Sequence, residues 1–310
     1  MSNGNTPEAL HQIIFESRSR ENDLIKFALN SSRAERESLR NNYDTAYPET
    51  GLIQDIQDRF SGNFKDLMYR LFLTRPEYDA EQYIRGMGGV STDSPALYEL
   101  LFSTPQWLID ETKNLYTRMT NKNLSDDLAK ALPNPVKKVI PIFLNTQRRT
   151  EKNPNEQQCQ KAAELLINEA PDNWIKNEQI VKDIFATMSP EELVLISRFY
   201  LATTGTSITE AVAKLSGNTR EFLLSMLTYL INPAEMFAKR INESVKGLGT
   251  DTNLLDRIIL NRHDLDLDLI KKYYYKLFNT SIREDIEDDT SGTYKKMLIA
   301  LTNKLSPDDV

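Results

Sequence analysis

Lys246-Gly247-Leu248-Gly249-Thr250-Asp251 opens the most informative part of this chain, and Asp289-Thr290-Ser291-Gly292-Thr293-Tyr294-Lys295-Lys296 closes it. Asp289 follows Gly249 by 40 residues. A loop with two glycines can take up positive φ, turn its carbonyls outward and leave room for a ligand. A carboxylate brought alongside adds two more oxygens. Such a hard-oxygen set suits Ca²⁺, which takes about six to eight oxygen ligands. By itself the glycine loop is equally what a helix C-cap followed by a Thr or Asp N-cap requires.

Composition narrows the class. The 310 residues can hold about two ordinary domains or one array of repeats, and a hydrophobic share of 40% is enough for a packed core. A formal charge of −7 and a pI near 5.2 argue against non-specific nucleic-acid binding. The same charge is repelled by an anionic membrane unless something bridges the two. Cys159 is the single cysteine and cannot form an intrachain disulfide. With no signal peptide visible at Met1-Ser2-Asn3-Gly4-Asn5, a reducing cytosol is expected. No apolar run is long enough to span a bilayer, and neither end carries a lipidation signal.

Helical signals dominate, and glycine is scarce at 11. Ser189-Pro190-Glu191-Glu192 reads as an N-cap, a proline in the first turn and a capping-box acid. Asn232-Pro233-Ala234-Glu235 opens a helix in the same way. Apolar residues follow the 3.6-residue period at Leu254, Leu255, Ile258 and Ile259, and again at Tyr294, Met297, Leu298 and Leu301. One helix start occurs three times: Ser61-Gly62-Asn63-Phe64, Ser216-Gly217-Asn218-Thr219 and Ser291-Gly292-Thr293-Tyr294. The steps between copies are 155 and 75 residues, so a fourth copy belongs near residue 135, where Pro133-Asn134-Pro135-Val136 stands in worn form. Four repeats follow, at 5–75, 76–147, 158–232 and 233–306. A polar linker occupies 148–157 around Arg148-Arg149-Thr150-Glu151-Lys152-Asn153-Pro154.

The pairing of Lys246–Asp251 with Asp289, and above all the run Asp289–Lys296, resembles the endonexin-type calcium loop and repeat ending of the annexin family. The resemblance implies an all-α fold, with each repeat a five-helix bundle and the four arranged in a slightly curved disc with calcium loops on its convex face. It also implies Ca²⁺-dependent binding to acidic, phosphatidylserine-like phospholipid, no enzymatic activity, and a cytoplasmic location peripheral to the inner face of the plasma membrane. Carried over position by position, it implies a metal site made of the Val245, Gly247 and Gly249 carbonyls and a bidentate Asp289 carboxylate. The phrases Ser103-Thr104-Pro105-Gln106-Trp107 and Tyr116-Thr117-Arg118-Met119 are similar to the alpha-giardins, divergent annexins of a flagellated protist. That closer likeness implies association with flagella or cytoskeleton.

The other loops have lost parts of the pattern. In the first repeat the two glycine slots hold Glu16 and Arg18, and the cap slot holds Arg59. In the second, Gly89 keeps the first glycine, but Ser91 and Ala131 fill the other two slots. In the third, Ile175 takes the second-glycine slot beside Trp174, and Lys214 takes the cap. The separations between second glycine and cap are 41, 40, 39 and 40 residues, which supports the register. A cation at the cap repels Ca²⁺ by roughly 4 kcal/mol for each like unit charge at 4 Å and moderate dielectric, and more for a divalent ion. Repeats 1 and 3 are therefore expected not to bind, and an ion pair of Glu16 with Arg59 is expected to replace the metal in repeat 1. The fourth-repeat site, with one carboxylate, should bind on the order of 10⁻⁴–10⁻³ M without lipid.

Other features carry less. Asp264-Leu265-Asp266-Leu267-Asp268 has the acids of an EF-hand start, but Tyr275 holds the twelfth position and no glycine the sixth. Tyr273-Tyr274-Tyr275 reads as packing spread around a buried helix, Trp174 as core or groove packing, and Glu99 with Arg257 as a buried ion pair. Leu248 stands at the loop tip, either as an exposed turn residue or as a contact to the lipid interface. His11 and His263 show no catalytic or metal-ligand spacing. The competing function is a calcium-poor scaffold that binds cytoskeleton or assembles with itself; the three degraded caps favour it.

Overall fold

A computed structural model describes residues 6–150 and 152–303. Every regular element among them is helical. The chain divides into two compact units. One holds the residues up to Thr74 together with those from Ala234 onward, and the other is Arg75–Pro233.

Local chemistry sets the helix boundaries. Reciprocal capping boxes start the helices after Ser32 (with Glu35), Ser189 (with Glu192), Ser207 (with Glu210) and Ser281 (with Glu284). The Ser-Gly starts share one backbone. Ser61, Ser216 and Ser291 are extended, and Gly62, Gly217 and Gly292 follow at φ of 62°, 62° and 64°. A Cβ at any of the three glycines would meet no atom within 4 Å, so the need for glycine is conformational and not steric. In the worn copy a 3₁₀ turn, Val136–Lys138, and a short helix, Ile140–Asn145, take the place of the glycine start.

In the first unit the helices Pro7–Phe15, Arg20–Leu29, Arg33–Ala46, Gly51–Arg59 and Gly62–Leu71 share one core with Pro233–Val245, Thr252–Arg262, Leu267–Phe278, Ile282–Asp289 and Gly292–Thr302. The expected apolar stripes face that core: Leu255, Ile258, Ile259, Met297, Leu298 and Leu301 are fully buried. Thr252–Arg262 and Gly292–Thr302 both pack on Gly62–Leu71, which joins the two ends of the chain. Tyr274 alone of the three consecutive tyrosines is fully buried, and Asn242 donates to its hydroxyl at 3.2 Å. Tyr275 lies on the solvent side, so the triplet does not ring a buried helix.

Polar groups also cross that junction. Arg33 holds Asp264 bidentately at 2.8 and 3.0 Å. The buried Arg36 guanidinium donates to the Ser31 carbonyl at 2.7 Å and the Leu71 carbonyl at 3.1 Å. It also approaches His263 Nε2 at 3.4 Å. Arginine can only donate and a carbonyl only accept, so His263 is neutral with its proton on Nδ1, donated to Leu260 O at 3.1 Å. Beside this node, Tyr294 donates to Asp256 at 2.7 Å, and Asp256 lies 3.8 Å from the buried Arg70.

In the second unit Arg75–Gly88 packs along Gln106–Thr120, and Glu156–Asn168 along Pro190–Thr204. Tyr98, Phe102, Phe143 and Phe222 meet edge to face at 5.1 to 5.7 Å between ring centroids. Buried Glu99 accepts from Tyr229 at 3.2 Å. Arg257, in the other unit, is buried as well. The start of the polar stretch after residue 147 is docked. Arg148 donates to the Met188 and Phe185 carbonyls, both at 2.6 Å, and its burial lowers its pKa to about 10. Arg149 pairs with the buried Glu192 at 2.9 Å.

These local devices can be tested by substitution. Gly292→Ala forces an L-residue to positive φ and should cost about 1–2 kcal/mol in urea unfolding, whereas Gly88→Ala, at a helical position with open space, should change stability by less than about 0.5 kcal/mol. Burial lowers the His263 pKa from 6.5 to about 4, with Asp264 opposing and Arg36 reinforcing the shift. The unfolded ring takes up a proton that the folded ring refuses, so this contribution to stability is complete above pH 6.5 and is lost as pH falls toward 4. The loss approaches about 3 kcal/mol, and His263→Gln should flatten the pH dependence of the urea midpoint across that window.

Candidate functional site

The loop 246–251 lies between two helices that end and begin for separate reasons. Pro233–Val245 stops where Gly247 and Gly249 adopt φ of 120° and 82°. Added Cβ atoms would meet nothing within 4 Å at either glycine, so the backbone conformation again demands them. Asp251 then caps Thr252–Arg262, accepting from Leu254 N at 3.1 Å, and its own N–H donates to Ser244 O at 2.8 Å. Between those two anchors the carbonyls of Val245, Gly247 and Gly249 accept no hydrogen bond among the described residues. Carbonyls left over at a helix end require a partner. Leu248 is fully exposed at the tip.

Asp289, the last residue of Ile282–Asp289, is brought to this loop by Thr250. Thr250 Oγ1 stands 2.6 Å from Asp289 Oδ2 and 3.0 Å from Asp289 O. The carboxylate has no cationic partner among the described residues and keeps lone pairs beyond the one the threonine uses. Three unsatisfied carbonyls beside one unpaired carboxylate are hard oxygen donors of the kind Ca²⁺ selects, so the residues present fit that ion. No cluster of three His, Cys, Asp or Glu able to hold a metal occurs among the described residues. The candidate donors are instead mostly backbone.

The loop 88–93 repeats the frame without the carboxylate. Asp93 N donates to Gly86 O at 2.9 Å, Asp93 caps Ser94–Ser103, and Thr92 Oγ1 reaches Ala131 O at 3.4 Å. Val90 is as exposed as Leu248. Yet the helix runs on to Gly88, Gly89 does not take up positive φ, and Ala131 offers no carboxylate.

Residues 236–301, which contain this loop, match the family model described as Annexin. Annexin A3 of Mus musculus is 27% identical over 295 residues, covering 95% of this chain and 91% of that protein. The solved structure of annexin III superposes with a TM-score of 0.88 at 26% identity, covering 96% of this chain and 92% of that one. Over nearly its whole length the chain is thus similar to annexins. Calcium-bound alpha-14 giardin shares the fold, with a TM-score of 0.76 at 20% identity and coverage of 95% of this chain and 98% of that one. Annexins are all-α repeat proteins that in general bind phospholipid in a calcium-dependent way and associate peripherally with membranes. In this chain no described helix is long and apolar enough to cross a membrane.

Repeats 1 and 3 depart from the family loop in different ways. The expected Glu16–Arg59 ion pair does not form. Glu16 ends the first helix through its backbone, and the Arg59 guanidinium lies 4.3 Å over the Phe15 ring. Phe15 in turn stacks on His11 at 4.3 Å, and His11 on Tyr47 at 4.2 Å. A cation on an aromatic face avoids desolvating an exposed ion pair and keeps its charge hydrated. In repeat 3, Trp174 is fully buried, with Nε1 donating to Leu166 O and Glu169 O at 3.1 Å each. Ile175 is buried beside it, so this segment is core.

Thr250 is the residue of the site that sequence reasoning misses. Its spacing marks it only as an N-cap, a task that Asp251 performs. The Thr-Asp pair shared by Thr92-Asp93 and Thr250-Asp251 is the available signal. Thr250→Val should release the Asp289 carboxylate and weaken Ca²⁺ binding by about 10-fold or more, measured by calorimetry, with folding stability reduced by only about 1 kcal/mol.

Proposed function

We propose that this chain binds acidic phospholipid surfaces through Ca²⁺ held by the Val245, Gly247 and Gly249 carbonyls and the Asp289 carboxylate. The observation that carries the reading is the set of three carbonyls without hydrogen-bond partners beside an unpaired carboxylate. When bound, the ion supplies the positive charge that a chain of net charge −7 lacks for joining an anionic membrane. The two glycines keep the carbonyls turned out, Thr250 orients Asp289, and Leu248 offers an apolar contact at the tip. The calcium-bound state of alpha-14 giardin, which has the same fold, supports the reading.

The repeats at 5–75, 76–147, 158–232 and 233–306, joined through 148–157, form the framework of this reading. Arg59, Ala131 and Lys214 leave the fourth repeat as the principal site. The location is cytoplasmic and peripheral, at the inner face of the plasma membrane, with cytoskeleton or flagella as a further association. Those same three caps favour a second reading, a calcium-poor scaffold in which the fourth loop is a relic.

Co-sedimentation with phosphatidylserine vesicles across a Ca²⁺ titration separates the two. Binding should appear with Ca²⁺, reverse with chelator and need at least about 10-fold more Ca²⁺ in Asp289→Ala. Calcium-dependent binding that is indifferent to Asp289→Ala would reject the site, and no binding at millimolar Ca²⁺ would move the conclusion to the scaffold.

A further inference from the structure

A cleft of about 580 Å³ opens between the helices Pro7–Phe15 and Gly51–Arg59 and the segment 46–50, wholly within the first unit. That volume lies in the range of small-molecule sites. None of its lining residues belongs to the fourth-repeat loop, so its chemistry is independent of the calcium reading. One wall is aromatic. Phe15 stacks on His11 and His11 on Tyr47, with interplanar angles of 15° and 14°. The rings close on one another and leave no slot for a planar ligand between them.

The other wall is acidic. Asp55 is only 4% exposed. Its Oδ2 accepts from the Tyr43 hydroxyl at 2.7 Å, and burial together with that carboxylate raises the Tyr43 pKa, which keeps the proton on the tyrosine. Oδ1 has no hydrogen-bond partner among the described residues, and Asp55 lines the cleft. Arg59 stands four residues after Asp55, the spacing of a helical ion pair. Its guanidinium nevertheless lies on Phe15, and no ion pair with Asp55 forms. A carboxylate hidden from water without a cation is costly, and a bound cation offsets that cost. Glu49 and Asp58, both exposed, add two more carboxylates without a cationic partner.

The spread of these charges selects the kind of cation. Asp55 and Asp58, three apart on one helix, have Cβ atoms about 5–6 Å from each other. No group of three His, Cys, Asp or Glu converges closely enough to hold a metal among the described residues. An anion meets three carboxylates, and an apolar ligand leaves Asp55 uncompensated. A chain with ammonium groups on methylene spacers reaches separated carboxylates and lays its spacers along the ring edges. We infer that this cleft binds a linear aliphatic di- or polyamine, with one ammonium on Asp55 and the next on Asp58 or Glu49.

The test titrates the full chain with spermidine at low salt, by calorimetry and by NMR. His11 and His263 are the only histidines, so their ring signals separate the cleft from the buried node. Spermidine should shift the His11 signals and leave those of His263 in place. Asp55→Asn should weaken binding about 10-fold, the value of one hydrogen bond to a charged group, while its amide oxygen still accepts from Tyr43. The double change Glu49→Gln with Asp58→Asn touches no buried group and should weaken binding by a similar factor. No His11 shift at millimolar spermidine would overturn the inference, as would an affinity unchanged in the double variant. Mg²⁺ that displaces spermidine as well as putrescine does, at the same charge, would reduce the cleft to bare electrostatics and overturn it too. n-Butylamine binding as tightly as putrescine would overturn the diamine and point to a single lysine of a partner protein.

Discussion

The two ends of the chain are held together by buried and half-buried charge set against charge and ring. Arg33 with Asp264, Arg36 with His263, and Arg70 with Asp256 link helices from the first quarter of the sequence to helices from the last quarter. Apolar burial alone would tolerate sliding between these helices. A bidentate guanidinium–carboxylate pair does not, because its two hydrogen bonds fix orientation as well as distance. The cost is the desolvation of several charges, and the structure meets it by satisfying Arg36 with two carbonyls as well as the imidazole. Loop 246–251 and Asp289 belong to the same compact unit as these pairs.

One loop differs from its relative by very little. Loops 88–93 and 246–251 share the Asp N-cap, the return hydrogen bond into the preceding helix, the threonine link and the exposed apolar tip. They part at one side chain and one backbone feature. Positive φ at Gly247 and Gly249 follows a helix that ends at Val245, while the other helix runs on to Gly88. Ala131 in place of Asp289 then removes the carboxylate. The frame and the carboxylate are therefore separable: the loop 88–93 keeps the one without the other.

Features that depend on neighbours in sequence are legible in the chain itself. The 3.6-residue stripes at Leu254–Ile259 and Tyr294–Leu301, the capping boxes and the Ser-Gly starts are set by local backbone and burial preferences, and each reads directly from residue order. Features that depend on what a side chain meets across the fold are not. Spacing pairs Arg59 with a carboxylate, but the guanidinium lies on Phe15. Spacing puts Tyr275 in a core, but the ring faces solvent. Spacing makes Thr250 a cap, but its hydroxyl ties two distant segments together. Each of these has several chemically adequate partners, and only tertiary packing chooses among them.

The composition of the two units has a consequence for the order of assembly. Arg75–Pro233 is continuous in sequence, so its core can close as soon as its own residues are available. The other unit needs helices from both ends of the chain, and its loop closure spans all of Arg75–Pro233. On a ribosome working from the N-terminus, the five helices before Thr74 must wait through the synthesis of everything between them and Ala234. The loop 246–251 is thus among the last parts to take shape.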